Sequence, residues 1–258
     1  MTKRVVFKNK QGKRLVGLID QPKGKPPYPA VIICHGFKGY KEQMHLLSLA
    51  RELAKNGILA FRFDFGNGIG ESYGKMADIK FGQYLKDLKA AVDFISRQKI
   101  VDKNKFGLAG HSLGGQLVMH YAPSDKRIKV IADLAGVISS KADVRQMQQY
   151  QEAKRAGYFI AYSRSKKRSL EIKFEYLKDL LSYDTAEKIK KIRIPTLIVH
   201  GTHDVSVPLG HSRLAYKLLK DPKKLAVIKN APHTWRQPKY YKRINPVVVD
   251  WFKKYLSR

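Results

Sequence analysis

The chain of 258 residues contains a single cysteine, Cys34. It cannot close an intrachain disulfide, so nothing calls for an oxidising compartment, and its place in the apolar run "AVIICHG" marks it as a buried thiol. No apolar run approaches the roughly 18 residues needed to span a bilayer. The N-terminal "MTKRVVFKNKQGKRLVG" carries cations without the apolar core of a signal peptide. These absences predict a soluble, cytoplasmic chain with no membrane span. Acidic residues are scarce too: 21 Asp and Glu stand against 51 Lys and Arg, a net charge of +30. Such an imbalance raises a polyanion as partner. The excess, however, is heaviest at the two chain ends and vanishes around "PTLIVHGTHDVSVP". Scattered charge predicts a solvated basic surface rather than a nucleic-acid module. The histidines show no metal-ligand spacing such as H-E-x-x-H, so neither a metal nor another cofactor is expected.

What is present is a hydrophobic content of 43%, enough for the core of one large domain carrying an insertion. "RVVFKN" and "KRLVGLI" read as a β-hairpin, and "PKGKPPYP" then breaks the chain before "AVIICHG", a strand buried on both faces. From there the pattern alternates. "MHLLSLARELAKNG" is helical, "ILAFRFDF" a strand, and "YLKDLKAAVDFISRQK" a helix whose Leu85, Leu88, Val92 and Ile95 share one face. "KFGLAG" and "KVIADLAG" are strands around the short helix "LGGQLVMHYA". "PTLIVHG", a helix near 208–220, "LAVIKN" and a final helix "NPVVVDWFKKYL" close the series. This predicts an α/β fold: a mostly parallel sheet with helices on both faces. Residues 139–190 interrupt the rhythm, separating two core strands by far more than a crossover needs. They predict an insertion of helix, β-hairpin and helix between core segments 1–138 and 191–258.

Two stretches fit Gly-x-Ser-x-Gly, "GESYG" at 70–74 and "GHSLG" at 110–114. A nucleophile turn needs a strand running into it and a helix leaving it, with glycines that let neighbouring backbone pass close. Ser112 meets this between "KFGLAG" and "LGGQLVMHYA"; Ser72 sits in a glycine-rich loop and is expected to bond local backbone. A serine hydroxyl needs a base, and the base an orienting group. Asp204 in "GTHDVSVP" and His233 in "NAPHTW" follow strands and supply both. His211 falls within a helix, and His35, His111 and His203 are expected to play no part in the chemistry. The N–H of Leu113, directly after the serine, would face a developing oxyanion.

The motifs "CHGFKG", "RFDF" running on into "GIGES", "GHSLGG", "VHGTHDVSVP" and "APHTW", in this order, resemble the α/β-hydrolase superfamily over nearly the whole chain. More narrowly, "HGFKG", "RFDF" and the insertion before "PTLIVHG" resemble the cinnamoyl and feruloyl esterases and related carboxylesterases; the loop "GNGIGES" is one residue longer than theirs. The resemblance implies an α/β-hydrolase fold and a cofactor-free serine esterase with Ser112, Asp204 and His233 as catalytic residues. It also implies Phe37 as the second oxyanion donor and residues 139–190 as a lid, in which Tyr158, Phe159 and Tyr162 are expected to touch substrate. The implied partner is a small acyl or aromatic ester, feruloyl-type first. A monoacylglycerol lipase, a thioesterase and an acyl-peptide hydrolase share the scaffold. A non-catalytic polyanion-binding protein is the competing class.

Overall fold

The computed structural model describes residues 1–138 and 141–256; residues 139 and 140, where the insertion is expected to begin, lie outside the described residues. The opening hairpin forms as expected: β1 (Thr2–Lys8) pairs antiparallel with β2 (Arg14–Asp20). The alternating series follows as β3 (Tyr28–Cys34), α1 (Met44–Lys55), β4 (Leu59–Asp64), α2 (Phe81–Ser96), β5 (Val101–His111), α3 (Leu113–Tyr121) and β6 (Ile128–Leu134). The insertion comprises α4 (Lys141–Gln146), α5 (Gln148–Ala156), the hairpin β7 (Tyr158–Ser163) and β8 (Arg168–Lys173), α6 (Phe174–Leu180) and α7 (Thr185–Ile189). After it come β9 (Thr196–Gly201), α8 (Leu209–Leu218), β10 (Lys223–Ile228) and α9 (Pro238–Leu256).

Eight strands make one sheet in the order β1-β2-β4-β3-β5-β6-β9-β10. From β4 to β10 every neighbouring pair is parallel, and the antiparallel strands lie at the β1 edge. The inner strands are buried on both faces, which is why "YPAVIIC" and "TLIVHG" read as apolar runs rather than alternating ones. One face packs on α1 and α9 through Leu46, Leu53, Trp251 and Phe252; the other packs on α2 and α3 through Leu88, Val92, Leu117 and Met119. Phe159, Ile172 and Tyr176 of the insertion belong to that second core, so the insertion is packed onto the domain. No described helix is long and apolar enough to cross a membrane.

The final helix departs from expectation at its start. It begins at Pro238, well before Asn245, and contains Pro246. A proline at the first helical position is preset in φ and lacks only an N–H that would be unpaired there anyway. Pro246 removes one internal bond, and burial of Ile244, Val248, Val249 and Phe252 outweighs that loss.

The tightest place in the fold surrounds Ser112. A Cβ on Gly114 would collide with the backbone carbonyls of Cys34 and His35, and one on Gly110 with the backbone of Gly114. Gly114→Ala is therefore expected to cost about 1–3 kcal/mol by overpacking. Gly210→Ala, inside α8 with nothing within 4 Å of the added methyl, is expected to gain about 0.5–1 kcal/mol through helix propensity. Urea unfolding of both variants checks the opposite signs.

Candidate active site

The chain runs from β5 into α3 through Ser112, which holds φ 57° and ψ −119°. A non-glycine residue there stores roughly 1–3 kcal/mol of strain, tolerated only where the surroundings enforce it. They do: the Ser112 amide donates to the Leu134 carbonyl at 3.0 Å, and its own carbonyl accepts from Gln116 at 3.1 Å. The hydroxyl makes no capping bond to α3, so it is not consumed as a helix cap. Among the described residues, the amides of Leu113 and Phe37 donate to no turn, loop or side-chain acceptor. Phe37 approaches the serine through its neighbour, since a Cβ on Gly36 would stand 3.0 Å from Ser112 Cβ.

Asp204 and His233 are brought together from loops after adjacent parallel strands, β9 and β10. The Asp204 side chain is fully buried; Oδ1 accepts from the amides of Ser206 at 2.9 Å and Val207 at 2.8 Å, and Oδ2 lies 2.7 Å from His233 Nδ1. Burial alone would raise its pKa, but the hydrogen bonds from His200, His233 and the Val207 amide outweigh this and hold it well below the carboxylate range. An ionised carboxylate at Nδ1 favours the tautomer of His233 that donates from that nitrogen.

Two histidines that sequence reasoning set aside or passed over support this pair. His111, next to Ser112, donates from Nε2 to the His233 carbonyl at 2.7 Å, tying the serine turn to the histidine loop. Burial pushes its pKa down to about 3, so it stays neutral. His200 is fully buried, with Nε2 2.9 Å from the Val207 carbonyl and 3.2 Å from Asp204 Oδ2, while Nδ1 meets Ser212 Oγ at 2.6 Å. Asp204 thus stands between two imidazoles. Neither contact had a signal in sequence: His111 meets a backbone carbonyl 122 residues away, and whether His200 turns to Asp204 four residues on depends on the path of the loop between them. His35 remains structural: its Nδ1 donates to the Gly36 carbonyl and its Nε2 accepts from the Phe65 amide. His211, inside α8, meets the backbone of Ile138.

An ionic tie holds the loop that carries Phe37. Lys41 is buried, and its Nζ lies 2.8 Å from Asp64 and 2.5 Å from Glu71. Burial would lower the ammonium's pKa, and these hydrogen bonds raise it above the ordinary lysine value. The Lys41 backbone amide donates to Asp64 Oδ1 at 2.7 Å, and the Arg62 guanidinium donates to the Lys41 carbonyl. The "HGFKGYK" loop is thereby fastened to the end of β4 and to the loop "GNGIGES". Ser72 completes the fastening, donating to the Asp64 carbonyl at 2.5 Å and accepting from the Val16 amide at 3.0 Å. Its bond to Asp64 is the local backbone bond expected of it; its reach to β2 is longer.

The Prolyl oligopeptidase family matches residues 45–258. The chain belongs to that family. Its architecture is that of the α/β hydrolases. It is 25% identical to Est1E from Butyrivibrio proteoclasticus, solved with ferulic acid bound, at a TM-score of 0.87 covering 98% of this chain and 100% of that one. The α/β hydrolase GrgF from Penicillium sp. sh18 superposes with a TM-score of 0.85 over 100% of both chains at 21% identity. In sequence it is 26% identical to a putative esterase, YitV, of Bacillus subtilis, across 88% of this chain and 89% of that protein. The chain is a hydrolase of esterase-like type.

In this prolyl oligopeptidase family member the three aromatics expected on one wall divide between faces. Tyr158, Ile160 and Tyr162 of β7 point outward and are exposed, whereas Phe159 and Ala161 are buried. Side chains alternate along a strand, so residues 158, 159 and 162 cannot all line one surface. The ring facing Phe37 comes instead from Tyr176 of α6, stacked at 5.6 Å between centroids. A cavity of about 540 Å³ opens beside the insertion between Tyr73, Gln83 and Lys173, and its lining includes none of Ser112, Asp204 and His233.

Behind the serine turn lies a carboxyl that the site leaves unused. Asp133 on β6 is fully buried against Gly115 and Gly136, and among the described residues neither of its oxygens has a hydrogen-bond partner. Burial raises its pKa to about 7; nearby His200 and the Gly136 amide, which faces it without closing a bond, offset part of the rise. Unfolded, the same carboxyl ionises near about 4. Between these values the unfolded state releases a proton that the folded state keeps, so stability falls as pH rises from about 4 to 7 and is level above. Asp133→Asn removes this dependence. In urea unfolding the stability of the variant relative to wild type should rise by up to about 4 kcal/mol between pH 4 and pH 8.

Proposed function

We propose that the chain is a serine carboxylesterase acting through an acyl-enzyme, with feruloyl- or cinnamoyl-type esters as its leading substrate class. The observation that carries this is the 2.7 Å contact between His233 Nδ1 and the buried Asp204, at the same C-terminal end of the parallel strands as an uncapped, strained Ser112. Ser112 Oγ attacks the ester carbonyl while Nε2 of His233 takes its proton; Asp204 orients the ring and stabilises the imidazolium. The tetrahedral oxyanion is held by the N–H groups of Leu113 and Phe37, each worth about 3 kcal/mol of barrier. His233 then protonates the departing alcohol, and a water activated by the same nitrogen releases the acid. Residues 139–190 act as a lid, with Tyr176 and Phe37 as its aromatic contact over the site. The aromatic-acid preference is supported by the likeness to Est1E with ferulic acid bound. Membership of a family named for oligopeptidases favours one further reading, hydrolysis of an acyl-peptide bond on the same three residues.

Ser112→Ala is expected to lower kcat/KM for p-nitrophenyl butyrate by at least about 10³-fold, and His233→Ala comparably. Ser72→Ala should stay within about tenfold of wild type while losing about 1 kcal/mol of stability with its two hydrogen bonds. Wild-type turnover by Ser112→Ala would sink the assignment. A panel of methyl ferulate, monoacylglycerol, an acyl thioester and an N-acetyl peptide ranks the substrate classes. Methyl ferulate is expected first, and an N-acetyl peptide first would give the oligopeptidase reading.

A further inference from the structure

The hairpin between β7 and β8 turns through "SRSKKRS", where Arg164, Lys166, Lys167 and Arg168 fall within five consecutive residues that include no acidic one. Lys167 at the turn takes φ 49°, and all four cationic residues are exposed. This tip rests on the loop that carries Phe37. Lys38 Nζ donates to the Tyr162 carbonyl at 2.9 Å, and Lys166 Nζ stands 5.1 Å from the centre of the Tyr40 ring. Lys38 is half-buried, and burial together with the charge of Arg164 lowers its pKa.

Several cations of the fold are paired: Arg4 and Lys41 share Glu71, Arg62 meets Asp20, and Arg127 meets Asp93 and Asp125. Among the described residues, none of Lys38, Arg164, Lys166, Lys167 and Arg168 has a carboxylate within ion-pair distance. Lys38 spends one donor on a carbonyl and has two N–H groups left. Like charges held together beside a half-buried ammonium are unfavourable until an anion joins them.

We propose that the β7–β8 tip and Lys38 form a binding site for the carboxylate or phosphate group of an anionic ester. The proposal rests on the esterase reading above and adds to it a preference for esters that carry an anionic group. Lys38 is two residues from Gly36, which abuts Ser112, and Lys166 of the tip stands against Tyr40, two residues further along the same loop. The charged end of the substrate is therefore several bonds from the carbonyl under attack, and short anionic esters reach the site less well than long ones.

The test uses 4-nitrophenyl half-esters of linear dicarboxylic acids of four to ten carbons, each compared with the uncharged 4-nitrophenyl alkanoate of equal length. For wild type, the anionic-to-neutral ratio of kcat/KM should rise with length to about tenfold or more and shrink as salt is added, by screening. In a variant with Arg164, Lys166, Lys167 and Arg168 all changed to Gln, the ratio should fall to near one. A control changes Lys239, Lys242, Arg243 and Lys253 of α9 to Gln, removing the same charge elsewhere, and should keep the wild-type ratio. A wild-type ratio at or below one for every length overturns the proposal. So does a ratio untouched by the tip substitutions, or one lost equally in the α9 control, which would assign it to the field of the whole protein. Absence of turnover on every ester, charged or neutral, is instead the failure of the esterase reading.

Discussion

The strained turn at Ser112 depends on bare backbone lying against bare backbone. Gly114 at the head of α3 faces the carbonyls of Cys34 and His35 at the end of β3, and Gly115 faces Asp133 on β6. With no Cβ at these positions, α3 can sit close enough to the strand ends for Ser112 to be trapped at positive φ with its hydroxyl uncommitted. The same proximity aligns the helix N-terminus and brings the loop of Gly36 and Phe37 alongside the serine. A methyl group inserted there would push α3 outward, and every other distance at the site would follow.

Around that contact the loops are held by polar groups, of which Lys41, Asp64 and His111 are buried and Glu71 is exposed. Lys41, Asp64 and Glu71 knit the loop of Phe37 to the glycine-rich loop after β4, while His111 knits the serine turn to the loop of His233. Buried ion pairs add little net stability, yet removing one partner is costly, so such a network specifies one loop arrangement more than it strengthens the fold. Preorganised donors need that property, because an amide displaced by a fraction of an ångström no longer meets the charge that develops. Asp133 runs the other way: a buried carboxyl without a partner, set where two glycines leave room for it.

Much of the fold was legible because its signals are local. The apolar runs of β3 and β9, the helical spacing of Leu88, Val92 and Ile95, and the alternation of Leu170 and Ile172 each report on a neighbourhood of a few residues. The differing settings of Ser72 and Ser112 were legible for the same reason, since only Ser112 stands between a strand and a helix. The early start of α9 was hidden by Pro246, which signals a helix boundary to its neighbours but is outweighed by buried side chains beyond it. The split of Tyr158 and Tyr162 from Phe159 followed from strand alternation, but which face met the core was a matter of packing.

By itself, then, the sequence determined the alternating α/β order, the strand-turn-helix at Ser112, and the placing of Asp204 and His233 in loops after strands, because spacing and turn chemistry act along the chain. Only the tertiary structure decided that His200 shares Asp204, that His111 holds the backbone of His233, that Lys41 is buried between two carboxylates, and that a cationic hairpin tip rests on the loop of Phe37. His200 and Asp204 are only four residues apart, and the path of the loop after β9 turns one to the other; the other contacts join residues tens to more than a hundred positions apart, and strand order in the sheet, which no local pattern encodes, is what brings them together.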